Sequence, residues 1–175
     1  LHGSYRYFRD APSNLDFHNE TNRLLKELYM FDNLRTDRTM AGCGLEVRVP
    51  FIDHEYVDLI KSIDVDKFMY SKNQMEKQLI RDSFKGYLPD EILFRSKEAF
   101  SDAVSSNDIN WFKFVQEKSK MLFDNNNDSP MDGRLYKMMF DEIYPGRSNI
   151  IKHLWLPRFQ KEIVTDPSAT ILNCY

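Results

Sequence analysis

The charged side chains at fixed spacing are the first candidates for chemistry in this sequence. Asp32 and Arg35 lie three residues apart, with Asp37 and Arg38 just beyond. That spacing puts two side chains on nearly one face of a helix end. Such a cluster holds an anion, or it is a solvated terminus with an ion pair worth ~0.2–0.5 kcal/mol. Arg95 and Lys97 stand between Phe94 and Phe100 in a stretch without periodicity. Two cations in a loop between aromatics could meet a phosphate, or they form an ordinary solvated turn. In both places bare sequence favours the solvated reading. Glu46 and Arg48 alternate with Leu45, Val47 and Val49. Alternation reads as surface against core, and charges bracketing a short apolar stretch also suit a domain interface.

Other chemistries fit less well. His2, His18, His54 and His153 are scattered, and no His or Cys pair has ligand spacing, so no metal site is expected. Cys43 has no base partner nearby, which favours a small buried cysteine over a nucleophile. Lys plus Arg total 24 and Asp plus Glu 27, a net charge of −3, so a large basic field for nucleic acid is not expected. Only 6 glycines are present, too few for a Gly-rich phosphate cradle within this stretch. Two cysteines, Cys43 and Cys174, make no disulfide scaffold and suit a reducing cytosol. No apolar run reaches the ~18–20 residues that span a bilayer, so no membrane role is expected. Asn19-Glu20-Thr21 and Asn127-Asp128-Ser129 match the glycosylation pattern, but without a secretory signal they read as chance.

The elements that must position these residues are mainly helices. At 175 residues with 42% apolar side chains, the chain can bury a core. Asn14 or Asp16 caps a first helix to about Asn33, with Leu24, Leu25, Leu28, Phe31 and Leu34 as its apolar stripe. Arg35 to Arg38 then reads as a polar loop, and Gly44 to Pro50 as an extended segment. Asp53 is the expected N-cap of a helix carrying Val57, Leu59, Ile60 and Ile63. A third helix fits Asn73 to Lys85, followed by Gly86, and Pro89-Asp90-Glu91 opens another. Phe94 to Ser101 reads as loop and 107 to 122 as helix. Asn125 to Pro130 is a surface loop, and a helix striped by Leu135, Met138, Met139, Phe140 and Ile143 ends at Pro145-Gly146. The helical body thus runs to about residue 145 and an extended tail from about 146 to 175. From the residues alone this is a mainly α domain with two candidate anion sites.

Several strings together resemble the C-terminal synthetase domain of glutamine-hydrolysing asparagine synthetases. They are residues 28–35 (Leu-Tyr-Met-Phe-Asp-Asn-Leu-Arg), residues 44–53 (Gly-Leu-Glu-Val-Arg-Val-Pro-Phe-Ile-Asp), and Met75-Glu76-Lys77 with Leu79, Ile80 and Arg81. Residues 87–93, Arg95 with residues 97–102, Trp155-Leu156-Pro157 and Asp166-Pro167-Ser168-Ala169 continue the match in the family's order. The resemblance implies the helical C-terminal portion of an adenine-nucleotide α-hydrolase-like (ATP pyrophosphatase) α/β synthetase domain. It implies ATP-dependent amidation of aspartate through a β-aspartyl-AMP intermediate. The cofactor is ATP with Mg²⁺, whose ligands fall mostly outside this stretch. Ammonia comes from glutamine in an N-terminal glutaminase domain.

By the same resemblance, Lys97 contacts the phosphates of ATP and the transition state. Arg35 clamps an anion, and Asp32 orients it or the substrate amine. Thr36, Val47, Val49 and Ile52 border the ammonia tunnel, and Glu46 and Arg48 face the glutaminase domain. Thr36 stands where the family often has Ala. The Ser-Gly-Gly-x-Asp-Ser loop, the parallel-sheet half and the glutaminase nucleophile would lie upstream, so this stretch is expected to be inactive alone. Aspartate, ATP and ammonia are the expected partners, with room for a homodimer, in the cytoplasm. Two rivals stand: another amide-forming or cyclising homologue of the β-lactam synthetase kind, and a non-catalytic helical binding module.

Overall fold

A computed structural model describes residues 6–69, 74–95, 111–123 and 131–159, and among them the chain is helical with no strand. It divides into two compact units, residues 1–96 and 97–175.

The first unit is built on aromatic burial. Tyr7 and Phe8, on a 3₁₀ turn at Arg6–Asp10, are fully buried with Phe17 of α1 (Asn14–Glu27). The Phe8 ring meets Phe17 edge-on at 4.8 Å and Tyr7 at 4.9 Å. Each such ring removed from water contributes about 1.5–3 kcal/mol. Ser13, in extended geometry, caps α1 by accepting from the Asp16 amide at 3.1 Å. The cap is therefore Ser13, not Asn14 or Asp16. Asn14 instead donates to Asp66 on the Val65–Lys67 turn, tying the start of α1 to a distant loop.

The first helix also ends earlier than its apolar stripe predicts. A 3₁₀ turn at Leu28–Met30 and an irregular Phe31 (φ −121°, ψ −103°) separate it from α2 (Asp32–Gly42). The expected polar loop at Arg35 to Arg38 is thus the middle of α2, a helix with no fully buried residue. Gly44, at φ +71°, turns the chain out of α2. Residues 45–49 then run without regular structure into a 3₁₀ turn at Pro50–Ile52. α3 (His54–Ser62) follows, capped as expected by Asp53, whose carboxylate accepts from the Glu55 and Tyr56 amides at 3.0 and 3.3 Å. α4 (Gln78–Ser83) is shorter than predicted, because Lys77 ahead of it sits in the left-handed region at φ +60°. α5 (Asp90–Leu93) is a single turn.

In the second unit, α6 (Trp111–Leu122) packs against α7 (Met131–Ile143). Val115 and Ser119 are buried, and Arg134 lies 4.4 Å over the Phe123 ring. Beyond α7, Gly146 at φ +73° reverses the chain. The Ser148 hydroxyl on the next 3₁₀ turn donates to Asp141. The expected loop at Asn125 to Pro130, residues 107–110 of the helix expected over 107–122, residues 96–101 of the loop expected from Phe94, and the last part of the tail lie outside the described residues.

Candidate functional site

α2 carries the first group of site residues because it begins at Asp32. An acidic residue in a helix's first turn is favoured by the positive end of the helix dipole. Arg35 lies one turn on, and its Nη2 donates to Asp32 Oδ1 at 2.7 Å. The side chains are 77% and 50% exposed, so the pair is solvated and adds only a few tenths of a kcal/mol to the helix, about 0.2–0.5. What the geometry provides is orientation. Asp32 holds one edge of the guanidinium, and Arg35 stands open to solvent on the rest.

From Asn33 onward α2 forms a wall of a groove of about 620 Å³. Its lining runs along the helix through Asn33, Thr36, Asp37 and Ala41, then past the turn through Gly44, Leu45, Glu46, Val47 and Val49. Helical spacing puts Asn33, Thr36, Asp37 and Ala41 on one side of α2, and the Gly44 turn folds the 45–49 segment back against them. Four of the predicted tunnel or interface residues, Thr36, Glu46, Val47 and Val49, therefore meet on one surface. Arg48 and Ile52 do not line it. Arg48 reaches back to Glu46 at 3.0 Å with both side chains largely exposed. Ile52 is half-buried in the Pro50–Ile52 turn.

The expected split of this segment into a charged surface and an apolar core face is corrected. Leu45 and Val49 are 56% and 45% exposed, as accessible to water as a typical surface residue, because no strand pairs with the segment among the described residues. Phe51 and Leu59 extend the exposed apolar surface, and Phe51 meets the Tyr56 ring edge-on at 5.7 Å. Burial pushes the Tyr56 phenol above its ordinary pKa of 10.0. Cys43 is exposed at the end of α2, not buried as its type suggested. Lys97 lies outside the described residues.

Among the described residues no three His, Cys, Asp or Glu side chains gather in a metal-binding group. The described residues offer no ligand set for the Mg²⁺ that the resemblance implies. None of the helices in the described residues is long and apolar enough to cross a membrane.

Sequence reasoning missed two features. Asn33 and Ala41 line the groove with Asp37, which the sequence singles out only as part of a charged cluster; the helical spacing of the three is the available signal. In the sequence Arg81 stands out only as part of the Met75 to Arg81 string. In the structure its guanidinium is nearly buried and gathers Glu76 and the backbone carbonyls of Leu93, at the end of α5, and Arg95 beyond it. A charged pair five residues apart beside apolar Leu79 and Ile80 was the only sequence hint.

Comparison with known proteins agrees with the resemblance. The family described as asparagine synthase matches residues 3–163, a span that holds every site residue named above. A probable glutamine-hydrolyzing asparagine synthetase of Acanthamoeba polyphaga mimivirus is 53% identical over 98% of this chain and 33% of its own length. The glutamine-hydrolyzing asparagine synthetases of Mus musculus and Homo sapiens are 41% and 40% identical, over 98% of this chain and 32% of theirs. The chain spans about a third of the length of the curated relatives it matches. With the match covering nearly all of its residues in one collinear run, the chain belongs to the asparagine synthase family.

Proposed function

We propose that this chain supplies the helical C-terminal portion of a cytoplasmic asparagine synthetase, a body to about residue 145 with a tail beyond it. In the assembled enzyme an aspartate side-chain oxygen attacks the α-phosphorus of ATP, and the bond to the departing pyrophosphate breaks. Ammonia released from glutamine then attacks the acyl carbon of β-aspartyl-AMP. AMP leaves with the electrons of the carbon–oxygen bond, and the nitrogen gives up its proton. Negative charge grows on the phosphates in the first step, where preorganised cations lower the barrier most. Lys97 contacts those phosphates, Arg35 clamps an anion and Asp32 holds Arg35 or the substrate amine.

The observation that carries the reading is the meeting of Thr36, Glu46, Val47 and Val49 on one groove that continues the helix of Asp32 and Arg35. Ammonia in transit must avoid water and protonation, and Leu45, Val47 and Val49 offer apolar wall. Thr36 adds one hydroxyl to it. Exposed Leu45, Val49 and Phe51, with Glu46 and Arg48 beside them, suit an apolar-centred, charge-rimmed contact with a glutaminase domain.

The test is a chimera in which these residues replace the matching third of the mimivirus relative. Glutamine-dependent asparagine formation, with one AMP and one pyrophosphate released per asparagine, is the expected result. A chimera that folds and hydrolyses glutamine yet forms no β-aspartyl-AMP refutes the reading and favours a non-catalytic module. Turnover of a substrate other than aspartate favours a cyclising homologue.

A further inference from the structure

Residues 45–49 leave most of their main chain unpaired. The Leu45 amide donates to the Met40 carbonyl and the Ile52 amide to the Val49 carbonyl, each at 2.9 Å, which pins both ends of the segment. Between these ends, the amides of Glu46 to Val49 and the carbonyls of Leu45 to Arg48 make no hydrogen bond among the described residues. Main-chain groups left open in this way are a template for another strand. In an extended segment the N–H and C=O groups of alternate residues point to opposite edges. The flanking turns engage the edge of Leu45 and Val49, so the edge of Glu46 and Arg48 is the open one.

The order of the side chains says what pairs there. Antiparallel pairing of two copies centred on Val47 sets Glu46 opposite Arg48 of the second copy and Arg48 opposite its Glu46. Leu45 then meets Val49 of the second copy, and Val47 meets Val47. The charged positions become the hydrogen-bonded pairs, and the apolar positions become the non-bonded pairs, whose side chains approach most closely. Opposite charges and apolar side chains facing each other are the pairs that stabilise a sheet. The Arg48 and Glu46 side chains are 83% and 74% exposed, so their bridge within one chain leaves room for a row of alternating charge.

We propose that residues 45–49 are a self-complementary edge on which a second copy of this chain pairs antiparallel, about a two-fold axis at Val47. The contact is isologous, so each favourable pair off the axis occurs twice. One short strand pair is smaller than the ~1,200 Å² of a standard interface, so the dimer is weak, with a Kd above about 1 µM. The same surface is read above as the contact with a glutaminase domain, and the two occupants compete for it. The dimer belongs to the chain without that domain and does not rest on that reading.

Sedimentation velocity of the 175-residue chain, from about 10 µM to about 1 mM, measures the dimer. The variants are Glu46→Arg, Arg48→Glu and the two together. Each single reversal sets like charges opposite each other at both symmetric positions and should weaken dimerisation at least ~10-fold. The double reversal restores opposite charges in the same register and should return the Kd to within about threefold of the parent. A partner of another sequence cannot give that rescue, because its own charges stay as they were. Residue-by-residue amide exchange on the parent chain serves if a variant does not fold. Exchange at Glu46 and Arg48 should slow as concentration rises, and exchange at Val47, whose N–H points to the other edge, should not. A parent chain that is monomeric at about 1 mM would overturn the proposal and leave the glutaminase contact untouched. A dimer indifferent to the single reversals, or one that the double reversal fails to restore, would also overturn it. Protection of the Glu46 and Arg48 amides that appears only on adding a relative's glutaminase domain would assign the edge to that domain instead.

Discussion

Replacing Arg23 with Met tests how the first unit is held together. Glu20 is fully buried, and its carboxylate accepts from the Tyr7 hydroxyl at 2.5 Å and from Arg23 Nη2 and Nε at 2.6 and 2.8 Å. Arg23 also reaches Glu27 at 2.8 Å. The hydrogen bond to Glu20 holds the Arg23 guanidinium charged far above its ordinary pKa, against the opposing effect of burial. Met fills a similar volume but removes both Arg23 bonds to a buried carboxylate. Breaking one side of a buried ion pair costs ~3–5 kcal/mol. Water reaches the 15%-exposed Arg23 side chain, so the lower end, about 3 kcal/mol, is expected. For a chain of this length that is ~6–12 °C in melting temperature, read by circular dichroism and by urea unfolding. The triple change Tyr7→Phe/Glu20→Leu/Arg23→Met removes the buried carboxylate together with its Tyr7 and Arg23 donors and should recover much of the loss. An Arg23→Met protein within about 0.5 kcal/mol of the parent, a typical surface effect, would refute the reasoning. So would a triple variant as unstable as the single one.

Three further outcomes are expected. Asp53→Ala should cost about 1 kcal/mol in urea unfolding by leaving two amides of α3 uncapped, while Asp53→Asn should cost much less. The Asp141 carboxyl is held below its ordinary value of 3.8 by hydrogen bonds from Lys137 and then Ser148. A lowered folded pKa means its stabilisation is fully present above pH 3.8 and is lost as pH falls through the folded value. The melting-temperature gap between the parent and Asp141→Asn should therefore be flat from neutral pH to about pH 5 and close below 3.8. Arg35→Ala should change stability by no more than about 0.5 kcal/mol, because its ion pair is solvated, yet lower adenylation in the chimera; a large stability loss with intact adenylation would contradict its role as an anion clamp.

The parts of this fold that could be read in the sequence are those set by local chemistry. Asp53 ahead of an apolar-periodic run caps α3 because its carboxylate needs only the next few amides, and Gly86 and Gly146 take the positive φ expected beyond a helix. The break between α1 and α2 carried no such mark. Leu28, Phe31 and Leu34 keep helical spacing across it, and neither Gly nor Pro punctuates the irregular Phe31. Residues 35–38 looked like loop because α2 buries none of its side chains completely, so no apolar period distinguishes it. The segment after Gly44 alternates like a half-buried strand, but alternation reports a face only when another element covers it. Here Leu45 and Val49 face water. The Glu20–Arg23 network hid inside a triplet that resembles a glycosylation site. In the fold Thr21 is buried and donates to the Phe17 carbonyl at 3.0 Å. The Arg81 tie closes over twelve to fourteen residues and depends on α5 ending where it does, which no local rule supplies.

The resemblance read from strings of residues reached the family that the comparisons show, and Thr36, Glu46, Val47 and Val49 line one groove. The central claim is that this chain brings the adenylating cation to aspartate and ATP. Lys97→Ala in the mimivirus chimera tests it most directly, with aspartate-dependent ATP–pyrophosphate exchange and glutamine hydrolysis measured on the same preparation. The account predicts exchange reduced by roughly 100–1,000-fold, the cost of one preorganised charge contact, with glutamine hydrolysis intact. Exchange at the parent rate, or equal loss of both activities, would contradict it.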